Sequence, residues 1–249
     1  MIELTANDGH SFSAYRADPA DTPKGAIVVI EEQLGLTPHI QKIADAFAAR
    51  GYVAIAPSLF DRVEPEGTLE NGTAVARKIE TEKALGDIQT AVNAVKGAGK
   101  VAVIGYDWGG DLAYASANRV SGIACVVGYY GSGIVGDYRE KRKVPTLLHF
   151  GENDVQIPNP DVTQFRARRP DVSAFTYPGA AHGFNCDERD GFQEDAATKA
   201  LERTLSWILQ YVEGQPPVLL KNAGAYAQAK TEKKKKKKAG GDDMGPPMD

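Results

Sequence analysis

A run of five residues with no polar member, AIVVI at 26–30, is what a central strand covered on both faces carries, and comparable apolar runs return at 101–104 and 122–128. Strands of that kind sit in the middle of a mainly parallel sheet, whose crossovers need helices. The helices are legible too. Pro38 suits a first helical position, and Ile40, Ile43, Ala44, Phe47 and Ala48 form one apolar stripe that Gly51 ends. Further strands are expected at 52–56, 146–150 and 173–177. Helices are expected up to about Lys96 after a polar stretch at 61–72, from about Gly110, near 162–168, and over 194–212. Asn7-Asp8-Gly9 turns an opening hairpin. The spacing predicts an α/β fold, a mainly parallel sheet with helices on both faces.

Beyond Gly214 the periodicity stops. Residues 221–249 hold eight Lys against four acids, a net +4, so the first 220 residues carry 21 basic and 29 acidic groups, a net −8. The reading is one domain over 1–213 and a disordered Lys-rich tail over 214–249. An acidic body is a poor nucleic-acid binder. Two cysteines, Cys125 and Cys186, are too few for a disulfide framework or a zinc ribbon. No signal-peptide pattern or membrane-length apolar run is present, so a cytoplasmic protein, monomer or small homo-oligomer, is expected. No phosphate loop, dinucleotide fingerprint or metal-ligand cluster stands out, and neither cofactor nor metal is expected.

The strongest local signal is VAVIGYDWGG at 101–110, a buried strand running through Gly-x-Asp-x-Gly into a helix. Small residues two before and two after a nucleophile let the chain turn sharply, and here Gly105 and Gly109 put Asp107 at the apex. The next amide, of Trp108, then lies at a helix N-terminus and suits an oxyanion hole. On the motif alone a structural turn with a solvated Asp fits equally well. Two later features shift the balance: a strand ends in Gly-x-x-Asp at Asp154, and another leads into a small-residue loop carrying His182. Nucleophile, acid, His is the chain order of this kind of site. Of the four His, only His182 has both the loop setting and the spacing.

Together with VIEEQLG at 29–35, VGYYG at 127–131, HFGEND at 149–154 and AHGFN at 181–185, the elbow resembles the dienelactone hydrolase family of the α/β-hydrolase superfamily over residues 1–213. The resemblance implies an α/β-hydrolase fold without a large cap and hydrolysis of a small ester or lactone. It implies His182 and Asp154 as catalytic partners and Glu32 as the Glu that contacts the nucleophile; Gln33 and Trp108 are expected as oxyanion or substrate contacts. Glu31 is expected to point to the opposite side from Glu32. The family's nucleophile is Cys, whereas this chain has Asp107.

A carboxylate is a weak acyl-transfer nucleophile but a competent one at saturated carbon. Asp-Trp-Gly-Gly also resembles the elbow of haloalkane dehalogenases and epoxide hydrolases, whose Asp attacks carbon and, in the dehalogenases, whose Trp holds the departing halide. Those relatives carry a helical cap, for which the sixteen residues 129–144 leave no room. The leading expectation is therefore a dienelactone-hydrolase-like enzyme acting on a small-molecule substrate. A dehalogenase or epoxide hydrolase is the alternative, and a non-catalytic binding protein a third. Tyr129 and Tyr130, after a strand end, are weaker candidates for substrate contacts at the pocket, and they, Cys186, Arg77 and Lys83 are each better read as packing or solvated surface.

Overall fold

The computed structural model describes residues 1–63 and 71–214. Most of the polar stretch at 61–72, and all of the Lys-rich tail after Gly214, lie outside the described residues.

The hairpin strands β1 (Ile2–Thr5) and β2 (Ser11–Ala17) are followed by β3 (Ala26–Ile30), α1 (Pro38–Ala48) and β4 (Val53–Pro57). Then come α2 (Gly72–Ala76), α3 (Thr81–Val95), β5 (Val101–Tyr106), α4 (Trp108–Arg119) and β6 (Ile123–Tyr129). The chain continues with β7 (Thr146–Gly151), α5 (Asn159–Arg168), β8 (Ser173–Tyr177) and α6 (Glu194–Tyr211). The eight strands lie in the order β1-β2-β4-β3-β5-β6-β7-β8, with only the β1–β2 and β2–β4 pairings antiparallel. Side chains of β3 alternate between two cores. Ile27 and Val29 pack on the face with Phe47 of α1 and Ile208 of α6, and Val28 and Ile30 on the face with Ile88 of α3 and Leu112 of α4. That two-sided burial explains why the strand has no polar residue.

The helical stretch read as continuous up to Lys96 is divided: α2 ends at Ala76, and Glu80 is extended (φ −64°, ψ 128°) ahead of α3. The connection after β6 holds one short 3₁₀ turn, Ile134–Gly136, and no cap domain.

From β3 the chain steps to β4 on one side, then crosses over to β5 on the other. The carboxyl ends of β3 and β5 therefore flank the point where the strand order reverses, which is where an open α/β sheet leaves a crevice. Glu31 and Glu32 follow β3, and Asp107 follows β5.

Candidate active site

The turn at Asp107 is forced by close backbone approach. A Cβ on Gly105 would lie 1.8 Å from the carbonyl oxygen of Gly109, and one on Gly109 would lie 2.3 Å from that of Glu31. Only glycine fits either place. Asp107 itself takes φ 55°, ψ −120°, a conformation that costs a side-chain-bearing residue about 1–3 kcal/mol and concentrates at functional sites. Its N–H donates to the Tyr129 carbonyl (3.0 Å), tying the elbow to β6. The helix starts at once, at Trp108, rather than near Gly110.

Strand ends then bring the partners together. His182, in the loop after β8, lies with Nδ1 2.8 Å from Asp154 Oδ2 and Nε2 3.3 Å from Asp107 Oδ1. Asp154 is held by the amides of Gln156 (2.8 Å) and Ile157 (3.2 Å), which donate to its other oxygen. Burial alone would make the His182 imidazole easier to deprotonate. The hydrogen bonds and charges of Asp107 and Asp154 outweigh it and raise its pKa to about 9. That raised value favours the protonated ring of His182, held between Asp107 and Asp154, at neutral pH.

Glu32 reaches the same crevice. Tyr130 Oη donates to its Oε1 (3.0 Å), and Arg189 Nη2 lies 3.0 Å from its Oε2. The same Arg189 nitrogen is 3.2 Å from Asp107 Oδ2, so one guanidinium joins the two acids. Burial raises the Glu32 pKa, and the Asp107 charge adds to that. The charges of Arg189 and His39 and the Tyr130 hydrogen bond oppose it. One turn into α4, Asp111 accepts the Gly133 amide (2.9 Å). Burial and then the nearby Asp107 charge push it up to about 7.

Glu31 points away, as alternation after a strand requires. Its Oε1 accepts the amides of Leu59 (2.9 Å) and Phe60 (3.2 Å), and full burial drives its pKa well up.

Tyr129, read as a substrate contact, lies in the core instead. Its ring stacks on Tyr106, and its hydroxyl is 2.7 Å from Thr204 Oγ1. The aromatic beside His182 is Tyr130, which leaves strand geometry at φ 38° and sets its ring edge-on to His182 with centroids 5.4 Å apart. Gln33 turns its side chain to Thr73, whose hydroxyl donates to its Oε1 (2.7 Å), so that side chain is engaged away from His182 and Asp107. Trp108, half-buried with its ring against Phe60, opens α4, where first-turn amides have no intrahelical acceptor.

Lys83 is drawn off to Asp8 (3.0 Å), and Arg77 is exposed on the C-cap of α2. The site's arginine is Arg189, which no periodicity in its loop marks. Cys186 is buried, and burial pushes its thiol up to about 11, away from a nucleophile's range. Among the described residues, no group of three or more His, Cys, Asp and Glu is placed to hold a metal ion, and no helix is long and apolar enough to cross a membrane.

Comparison with known proteins converges on one lineage. Carboxymethylenebutenolidase of Pseudomonas putida is 28% identical over 232 residues, spanning 86% of this chain and 98% of that protein. A Klebsiella pneumoniae subsp. pneumoniae structure that carries a provisional dienelactone hydrolase name superposes with a TM-score of 0.75 at 26% identity, over 84% of this chain and 98% of its own. Thermogutta terrifontis esterase 2 shares the fold alone, at a TM-score of 0.64 and 16% identity, over 84% and 92% of the two chains. The dienelactone hydrolase family model matches residues 12–212, from the hairpin to the last helix, across both the elbow and the His182 loop. The elbow at the switch point and the sequence match lead to the same place: this chain belongs to the dienelactone hydrolase family and is a hydrolase on the α/β-hydrolase fold.

Proposed function

We propose that the protein hydrolyses a small lactone or activated ester bearing a carboxylate, with Asp107 standing where the family has its nucleophilic Cys. The observation that carries this reading is the Asp154–His182–Asp107 chain of contacts, 2.8 and 3.3 Å, at the sheet's switch point. Asp107 attacks the acyl carbon, and the backbone amides of Trp108 and Gln33 receive the oxyanion. The imidazolium of His182 protonates the departing oxygen, leaving a mixed anhydride and a neutral imidazole. His182 then takes a proton from water as the hydroxide oxygen bonds to the acyl carbon. The acid leaves, and both the Asp107 carboxylate and the imidazolium are restored. Asp154 holds the ring orientation throughout.

An anhydride is a better acyl donor than an alkyl ester, so forming one from an unactivated ester runs uphill. Enol and aryl leaving groups ease that step, and turnover of simple alkyl lactones is expected to be slow. Arg189, shared between Glu32 and Asp107, is the cation that a substrate carboxylate can engage.

A panel of an aryl ester, an enol lactone and a haloacid tests the reading. The enol lactone with a carboxylate is expected to turn over fastest. Arg189→Gln should raise its KM about tenfold or more relative to a neutral ester, the loss of one charge-assisted contact. The paired Asp107 and Trp108 favour one alternative, displacement at saturated carbon. Haloacid turnover without lactone turnover, with heavy-oxygen label from water appearing in the Asp107 carboxylate, would establish that chemistry instead.

A further inference from the structure

On the opposite face of the sheet from α4, a cavity of about 210 Å³ opens between α1 and α6. Its walls are Ile43 and Phe47 of α1 and Ala197 and Leu201 of α6, and its floor is Tyr106 with Tyr129. None of the triad lines it. Polar groups line it as well. Tyr106 is 3% exposed, and its hydroxyl makes no hydrogen bond among the described residues. Its oxygen is not among the fully buried polar atoms that lack a partner, so it keeps open surface and can donate to whatever enters the cavity. At the rim, Arg50 uses Nη1 on the Ala46 carbonyl (2.6 Å) and forms no ion pair among the described residues, so the rest of its fork is available to an anion. Asn185, between His182 and Arg189 in sequence, adds an amide to the lining.

We infer that this cavity is a second ligand site, separate from the triad, for a single-ring aromatic carboxylate. The size fits, because an apolar cavity of about 150 Å³ already holds benzene, whereas drug-sized ligands need about 300 Å³ or more. The chemistry fits as well. The aliphatic walls and Phe47 take the ring, and the Arg50 guanidinium at the rim supplies donors for the carboxylate.

Benzoate is the probe, titrated calorimetrically into the full chain, with benzyl alcohol as its uncharged counterpart. Benzoate is expected to bind at one site, with an affinity within about twofold of wild type in Arg189→Gln, whose active-site cation is gone. Arg50→Gln should weaken it about tenfold or more, and benzyl alcohol should bind about tenfold more weakly than benzoate. Ala197→Phe fills the cavity, and Thr198→Trp fills it from an exposed rim position without touching the core. Both should abolish binding while hydrolytic turnover stays within about twofold of wild type. Loss of benzoate binding in Arg189→Gln would place the ligand in the active site and overturn the proposal. So would binding that survives both filling variants, or no binding to wild type at millimolar concentration.

Discussion

Changing Asp107 to cysteine is expected to raise turnover of lactones and aryl esters at least about tenfold, equivalent to about 1.4 kcal/mol off the barrier or more. The argument is about which bond each nucleophile leaves behind. Carboxylate attack gives a tetrahedral intermediate that expels the carboxylate more readily than an alkoxide, so it falls back to substrate instead of going on to the anhydride. A thiolate gives a thioester, which holds until water attacks. The surroundings oppose Asp107 further. His182 Nε2 holds one of its oxygens and Arg189 Nη2 the other, so both lone-pair systems that could attack are already engaged by cations. A thiol at this position keeps the imidazolium partner that favours its ionised form. The backbone asks nothing new, since the φ of 55° is set by the glycines on either side and strains cysteine as it strains aspartate. Initial rates on an enol lactone and on an aryl ester measure the effect. A Cys variant that folds and is no faster than wild type would remove Asp107 from the nucleophile's place, and an Asp107→Asn protein with full lactone turnover would do the same.

Much of this site could be read from the chain because local backbone chemistry writes itself in glycine. Gly105 and Gly109 mark a turn that no residue with a Cβ can make there, and the strands on either side are buried on both faces and so carry no polar residue. Asp154 and His182 each follow a strand end, where loops at one edge of a parallel sheet must converge. What escaped notice depends on contacts made across long sequence distances. Arg189 reaches Glu32 from a loop of turns between β8 and α6, with no period to reveal its direction. Tyr129 and Tyr130 look interchangeable in sequence. The positive φ at Tyr130 breaks the alternation and turns that ring, rather than its neighbour's, toward His182. The break between α2 and α3 falls at Lys78, Ile79 and Glu80, none of which is a helix breaker, so composition carried no sign of it.

His182→Gln should lower lactone turnover by about a thousandfold, because one side chain supplies both the acid of the first step and the base of the second. Its protonation gives the prediction a second readout. Asp107 and Asp154 raise the imidazole pKa from 6.5 to about 9 against the opposing effect of burial, so the folded protein binds a proton there that the unfolded chain has released by neutral pH. The sign follows directly. For a group whose pKa is raised by folding, the stabilisation is fully present below the unfolded value and is lost as pH rises through the folded one. The His182 contribution, on the order of 3 kcal/mol at most, is therefore complete below about pH 6.5 and gone above about pH 9. Denaturation of wild type and His182→Gln should show the largest stability difference near about pH 6 and a much smaller one near about pH 10. NMR of the imidazole should give a midpoint near 9 in wild type, and a lower one in Asp107→Asn, where one of the two carboxylates has lost its charge. An imidazole that titrates at the ordinary histidine value in wild type would mean that the two carboxylates do not hold its proton. His182 would then enter the reaction as a neutral base, and the protonation of the leaving oxygen would have to come from another group.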